Sequence, residues 1–239
     1  MSVPIDAADA APLKILHIDA DLVAIGKPAG LLVHRTALDA HEQRFAMQML
    51  RDQIGAQVWP VHRLDKGSSG VLLFALNADV ARELCAAFES NRLHKRYLAL
   101  VRGWPSIEAG VIEHALARDP ERASRGQTLL AARTDWKLLN HYEWQIATDP
   151  RFNNSRYALL EAQPHSGRRH QIRRHLKHIA HPIVGDATHG KGVHNRAVAQ
   201  YLGLQRLWLH ALELHIEHPV TRQALRLNAP LCPEWEALR

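Results

Sequence analysis

Along most of the chain apolar and polar positions alternate with period two, the signature of strands with one buried face. "LKILHID" (13–19) and "LVAIGKP" (22–28) read as two strands joined by the Asp-Ala-Asp turn at 19–21. "VWPV" (58–61) is a short extended run, and "VLLFAL" (71–76) is an almost unbroken apolar strand. In "KRYLALVRG" (95–103), Tyr97, Ala99 and Val101 share one face and Leu98 and Leu100 the other. "GVIEHALA" (110–117), "TLLAARTDWKLL" (128–139), "SRYALLEAQP" (155–164) and "RLWLHALELHIEHP" (206–219) read as further strands. The polar, basic stretch 118–127 between two of them reads as a surface loop. Helical periodicity appears over 41–54, with Phe45, Met49 and Leu50 on one side. It recurs over 77–92, where Val80, Leu84 and Phe88 stand at i, i+4 and i+8 and Asn77 or Asp79 can cap. A third helix over 169–180 has Ile172, Leu176 and Ile179 as its stripe and Pro182 beyond its end. Strands outnumber helices and many are hairpin-linked, which predicts an α+β fold with a mixed, largely antiparallel sheet. No repeat or Pro/Gly/Ser linker divides the chain, so 13–239 reads as a single domain behind a loose segment 1–12.

At 239 residues, nearly half of them apolar, the chain can bury a sizeable core. Its two cysteines, Cys85 and Cys232, have no metal-like spacing, which argues against a disulfide framework and fits a reducing cytosol. Residues 1–12 lack the basic start and apolar run of a signal peptide, and no window is long and apolar enough for a bilayer. The expectation is a cytoplasmic protein with no membrane partner. No coiled-coil pattern or apolar surface stripe appears, so a monomer is expected. The net charge of +6 and seventeen histidines suggest a polyanionic partner.

"VHRLDKGSSG" (61–70) places one acid, Asp65, between Arg63 and Lys66 at a strand edge. A turn carboxylate is usually structural, bonding its own backbone two residues on. The basic segment "SGRRHQIRRHLKHIAHP" (166–182) supplies the contrast. At 100° per residue Arg174, Lys177 and His178 point away from the apolar stripe, as phosphate contacts or a solvated face would. Arg169 and Arg173 lie along a flank of the stripe, and a half-buried Arg173 needs an acceptor, preferably a carboxylate taken by both prongs. Asp65 is the unexplained acid available. A zinc reading of His170, His175, His178 and His181 fails, because these spacings fan around a helix and no cysteine or acid joins them.

These segments carry a family resemblance. "HRLDKGSSGVLLFAL" (62–76) resembles the catalytic motif of the RluA-type pseudouridine synthases. "GKPAGLLVHR" (26–35), "KRYLALVRG", "SGRRHQIRRHLKHIAHPIVGD" (166–186) and "RLWLHALELHIEHPVT" (206–221) resemble its other motifs in the right order, spanning about 15–221. Within the family, "LLVHRTALD", "RDQIGAQV", "RRHQIRRHL" and "GLQRLWLHA" are most similar to the branch that acts on uridine 65 of transfer RNA. Motif one begins too near the N-terminus for an S4-type RNA-binding module before it. Three departures stand out: Ser68 where threonine is common, Arg35 after the motif-one histidine where proline is commoner, and Arg222 in place of a turn glycine.

The resemblance implies isomerisation of uridine to pseudouridine in RNA, with no cofactor and no metal. Asp65 would be the nucleophile, attacking C1′ or the uracil ring, with an elimination route also open. Burial disfavours an ionised carboxylate, so a cation must oppose it, and Arg173 fills that role. Arg63 would hold the flipped nucleotide, replacing the stacking and pairing that flipping loses. Tyr97 would stack on the uracil and take the C5 proton late. Lys27, His34, Lys66, Arg168, Arg169, Arg174 and Lys177 are the RNA contacts the resemblance and the charge pattern suggest. Ribosomal RNA as substrate, and a non-catalytic RNA-binding module of the same fold, are the competing readings. Glycoside hydrolysis would need a second acid near Asp65, which the local sequence lacks.

Overall fold

In the computed structural model, residues 11–35, 42–122, 125–236 and 238 are described. In chain order they form β1 (Lys14–Ile18), β2 (Leu22–Lys27), α1 (Ala46–Ile54), β3 (Trp59–Pro60), β4 (Ser69–Ala75), α2 (Ala78–Glu89), β5 (His94–Arg102) and β6 (Ala109–Glu113). Then follow β7 (Leu116–Ala117), β8 (Leu129–Leu130), β9 (Arg133–Trp144), β10 (Ser155–Pro164), α3 (Gln171–His178), α4 (Gly192–Leu202), β11 (Leu209–Glu217), β12 (Ala224–Asn228) and α5 (Pro233–Glu236). The main sheet runs β1-β2-β4-β11-β5-β10-β9-β6, with β12 beside β11 and β3 beside β4. Among the strand pairs of the described residues, β4–β11 alone is parallel. The α+β class and the mixed, largely antiparallel sheet are therefore as expected.

The sheet is built from residues whose alternation left little choice of face. β4 is buried along its whole length, as its continuous apolar run requires for a central strand. Its partner β11 changes neighbours at a bulge between Ala211 and Glu213. Before the bulge it pairs β4 at Ser69 and Gly70, and after it β12 takes the same edge. The catalytic-motif loop thus enters the sheet centre at the start of β4.

The helices are shorter than their patterns suggested. The first begins at Ala46 rather than 41, and residue 41 lies outside the described residues. Asn77 caps α2, its Oδ1 accepting the Val80 N–H at 2.9 Å. The basic helix is Gln171–His178 rather than 169–180, bracketed by left-handed backbone at His170 (φ 55°) and Ala180 (φ 65°). α4 went unpredicted because only Val198 of it is buried, too thin a stripe for a periodicity reading. The expected strand 128–139 is split into β8 and β9, and the 206–219 strand is trimmed to β11. Arg222 does adopt the left-handed conformation (φ 60°) of the glycine it replaces and pairs with Glu83 and Glu217. Of the loose segment 1–12, residues 1–10 lie outside the described residues.

Candidate active site

The loop carrying Asp65 is held from several directions by groups the chain places there. His62 Nε2 accepts the Leu73 N–H at 2.9 Å and its ring stacks on Phe88 of α2 at 4.4 Å. Burial, with Lys95 adding to it, drives that imidazole down to about 3, which suits an acceptor that must stay neutral. Lys66 O accepts the Gly30 N–H at 2.8 Å, and Ser68 N–H closes the turn onto Asp65 O at 3.0 Å. Gly70 enters β4 at φ 115°, where a Cβ would lie 2.1 Å from Ala211 O. Only glycine allows β4 and β11 to approach there.

The Asp65 carboxylate is not spent on its own turn. Arg173 Nη1 donates to its Oδ2 at 2.7 Å, bridging 108 positions of sequence. The acid is 22% exposed while Arg173 is buried. The two-pronged grip goes elsewhere, however. Arg173 Nε and Nη2 donate to Asp186 Oδ2 and Oδ1 at 2.7 and 2.8 Å. Asp186 is buried and also accepts the backbone N–H groups of Thr188 and His189 at 2.9 and 2.8 Å. Burial alone would raise the Asp186 carboxyl, but Arg173 and the backbone donors hold it below its ordinary range. Burial pulls the Arg173 guanidinium down, and the two acids more than restore it. The sequence expectation of a forked Arg173–Asp65 pair is corrected to an acid–arginine–acid chain.

Asp65, Arg63, Tyr97 and Arg173 converge on one cavity of about 500 Å³. Arg63 is exposed on its rim. Tyr97, on β5, faces Ala162 and Ala211 across neighbouring strands, whose small side chains leave it room. Burial first, then the negative charge of Asp65, push its phenol well above the ordinary tyrosine value. A second cavity, about 1180 Å³, opens on the other side of Asp65, bounded by Lys27, Arg63, Arg206 and Glu234 among others. Arg63, Asp65, His170 and Arg173 belong to both walls.

Two of the expected RNA contacts, Lys27 and Arg174, bond to backbone carbonyls within the chain. Lys27 is 1% exposed, and its ammonium donates to the carbonyls of Pro28, Leu31 and Lys66 at 2.9, 2.7 and 3.2 Å. Burial lowers it to about 7, with Asp65 opposing. Three carbonyl acceptors demand three N–H donors, which only the ammonium supplies. Lys27 ties the motif-one loop to the loop carrying Asp65. Arg174 does not point freely into solvent: its Nη1 donates to Ala117 O of β7 at 2.9 Å. The β7–β8 arm covers that side of α3, and His114 before β7 stacks on His178 at 3.9 Å. Lys66 and Arg169 are engaged by acids, Glu42 for the first and Asp119 and Glu121 for the second. Arg168 donates to Ala131 O at 3.1 Å with its head at the surface, and Lys177 is exposed. His34 is half-buried at the end of motif one.

The four histidines of the basic segment disperse as their spacing implied. His175 meets Thr134 and the His114 carbonyl, His181 the Arg102 carbonyl, His178 the His114 ring and His170 the ring of His189. Sequence reasoning missed Asp186, His62 and the His170–His189 pair. The available signal for Asp186 was an acid closing the apolar run "PIVGD".

Comparison with known proteins shows the family. The family model described as RNA pseudouridylate synthase matches residues 21–178. A protein of Vibrio cholerae named tRNA pseudouridine synthase C is 47% identical over 231 residues, covering 95% of this chain and 94% of its own. Its namesake from Yersinia pestis is 44% identical over 231 residues, covering 95% and 89%. Among solved structures, human RNA Pseudouridylate Synthase Domain Containing 1 aligns with TM-score 0.71 at 26% identity, over 92% of this chain and 83% of that one. Human RNA Pseudouridylate Synthase Domain Containing 4 aligns with TM-score 0.69 at 26% identity, over 94% and 92%. With the motifs in order and the fold shared, the chain belongs to the RNA pseudouridylate synthase family, RluA type.

Proposed function

We propose that the protein converts a uridine of transfer RNA to pseudouridine, with Asp65 as the nucleophile. The observation that carries this is the Asp65–Arg173 contact at 2.7 Å on the wall of a cavity shared with Arg63 and Tyr97. The tRNA substrate is supported by the printed names of the relatives. Uridine 65 as the target rests on the segments shared with the branch acting there. The acting unit is a single chain, since all four groups come from one polypeptide, and it works in the cytoplasm beside its RNA.

In this reading the target nucleotide leaves its helix and enters the cavity, with Arg63 filling the gap or holding the phosphate. Tyr97 offers its ring face to the uracil. Asp65 acts as the N1–C1′ bond breaks, by attack on C1′, by attack on the uracil ring or by assisting elimination. The uracil then turns in place and C5 bonds to C1′. Lys66, Arg168, Arg169, Lys177 and His34 are the groups this reading offers to the flanking RNA backbone.

Purified protein incubated with bulk tRNA should form pseudouridine, and Asp65→Asn should abolish that while RNA binding persists. Full activity in Asp65→Asn rejects the role of this acid. Mapping pseudouridines in cells lacking the gene tests the substrate: loss at a ribosomal site with tRNA unchanged would overturn the tRNA reading.

A further inference from the structure

The proposed isomerisation, on which this inference rests, moves one proton. Once C5 is joined to C1′ it must lose its hydrogen, and N1, freed from C1′, must gain one. A base has to stand beside the ring. Tyr97 is poorly suited, because burial and the Asp65 charge keep its phenol protonated. Arg173 cannot act as a base, and Lys27 is spent on three carbonyls. Of the other basic groups on that wall, His62 is spent on the Leu73 N–H and Lys95 on the Ser166 carbonyl, and His170 is the histidine whose ring lies 3.8 Å from Asp65.

Its imidazole is 13% exposed, with Nε2 3.8 Å from Asp65 Oδ1 and Nδ1 3.1 Å from Nε2 of the buried His189. It stands at the N-cap of α3 in left-handed backbone (φ 55°, ψ 27°) and its side chain makes no capping bond. That position ordinarily goes to a side chain that caps the helix. Here a strained backbone aims the ring at the catalytic acid instead.

We propose that His170 is the catalytic base that removes the C5 proton, and that His189 is the positioning residue fixing its tautomer. One proton is shared between His170 Nδ1 and His189 Nε2. When Nδ1 donates it, Nε2 faces the cavity with a lone pair. That lone pair takes the C5 proton. The C–H electron pair restores the C5–C6 double bond, and the C6–N1 π pair moves onto N1. The resulting imidazolium sits beside the Asp65 carboxylate and returns a proton to N1, directly or through water. Atoms and charge balance with no outside reactant.

The groups facing His170 are Asp65 from the catalytic loop, Arg169 and Arg173 from its own helix and its approach, and Asp186 and His189 from the segment after α3. Burial lowers its proton affinity, the acids raise it and the arginines lower it, with the net result below the ordinary histidine value. At neutral pH the ring is therefore in its basic form.

His170→Asn tests this, since asparagine tolerates left-handed backbone. The expected result is a fall in kcat of about 100-fold or more with KM little changed. With tRNA deuterated at uridine C5, an isotope effect should emerge in the variant that the parent protein lacks. His170→Gly, equally at ease at positive φ, should regain activity on adding imidazole. His189→Gln should retain most of the rate, whereas His189→Leu should fall toward His170→Asn. Parent-level kcat in His170→Asn, or a loss with neither isotope effect nor imidazole rescue, overturns the inference alone. Absence of pseudouridine with the unmutated protein overturns the proposed function first and this inference with it.

Discussion

Asp186→Asn separates the structural acid from the chemical one. The Asp186 side chain is fully buried and accepts four hydrogen bonds, two from the Arg173 guanidinium and two from backbone N–H groups. Asparagine has nearly the same shape but offers one oxygen, and it turns an NH₂ toward donors. Arg173 would then be a buried cation with its fork unfilled. Removing one member of a buried ion pair destabilises by about 3–5 kcal/mol. Asp65→Asn leaves Arg173 with Asp186 and removes one of two like charges flanking a single guanidinium. That contact is also partly exposed, so the expected change is within about 1 kcal/mol of the parent. Urea unfolding reads the difference: the Asp186→Asn midpoint should fall by about 1 M or more, and the Asp65→Asn midpoint should barely move. Both variants should lose pseudouridine formation, the first because Arg173 no longer presents Nη1 at a fixed point. If Asp186→Asn unfolds at the parent's midpoint, or Asp65→Asn loses as much stability, the acid–arginine–acid reasoning is wrong.

Two further outcomes follow from the strands that frame the site. Burial alone would raise the Glu213 carboxyl, but Arg226, Arg96 and His215 hold it at about 2 against an ordinary 4.5. Its contribution to stability is therefore complete above about pH 4.5 and is lost as pH falls toward 2, up to about 3 kcal/mol for this group. Urea midpoints at pH 7 and pH 3 should differ in the parent and differ less in Glu213→Gln, with the residual difference owed partly to Asp19, which is also held at about 2. Gly70→Ala should destabilise by about 3 kcal/mol or more and depress activity, since its Cβ would meet Ala211 O at 2.1 Å. A Gly70→Ala melting temperature equal to the parent's would show that β4 and β11 can separate without penalty.

Strands were easier to read from the chain than helix ends, for physical reasons. Period-two alternation in 155–164 and 13–28 coincides with β10 and with the β1–β2 hairpin because each residue's face is decided by one sheet. The start of α3 was illegible because His170 leaves helical space at a position where no glycine or asparagine advertises it. Arg174 was read as solvated because helix geometry knows nothing of the β7–β8 arm, which folds back from 57 positions away to cap it. Lys27 misled for a similar reason: a lysine beside Pro-Ala-Gly looks like a surface cation until three carbonyls close around it. The proximity of Asp65 to Arg173 was legible as a demand, a buried guanidinium requiring an acid. Which acid took the fork was not, because Asp186 and Asp65 satisfy the same demand in one dimension.

Giving the fork to Asp186 has a consequence for the chemistry at Asp65. A carboxylate gripped by both prongs of an arginine has both oxygens occupied and its lone pairs aimed at the guanidinium. Asp65 is held by one N–H on Oδ2, which steadies it while Oδ1 lies 3.8 Å from His170 Nε2. Asp186 fixes the guanidinium plane, so the single bond to Asp65 has a defined direction although it is not doubled. An arginine suits this place because one planar group can serve a structural acid with two donors and a reactive acid with a third. A lysine in the same place would present a point charge to both acids and orient neither.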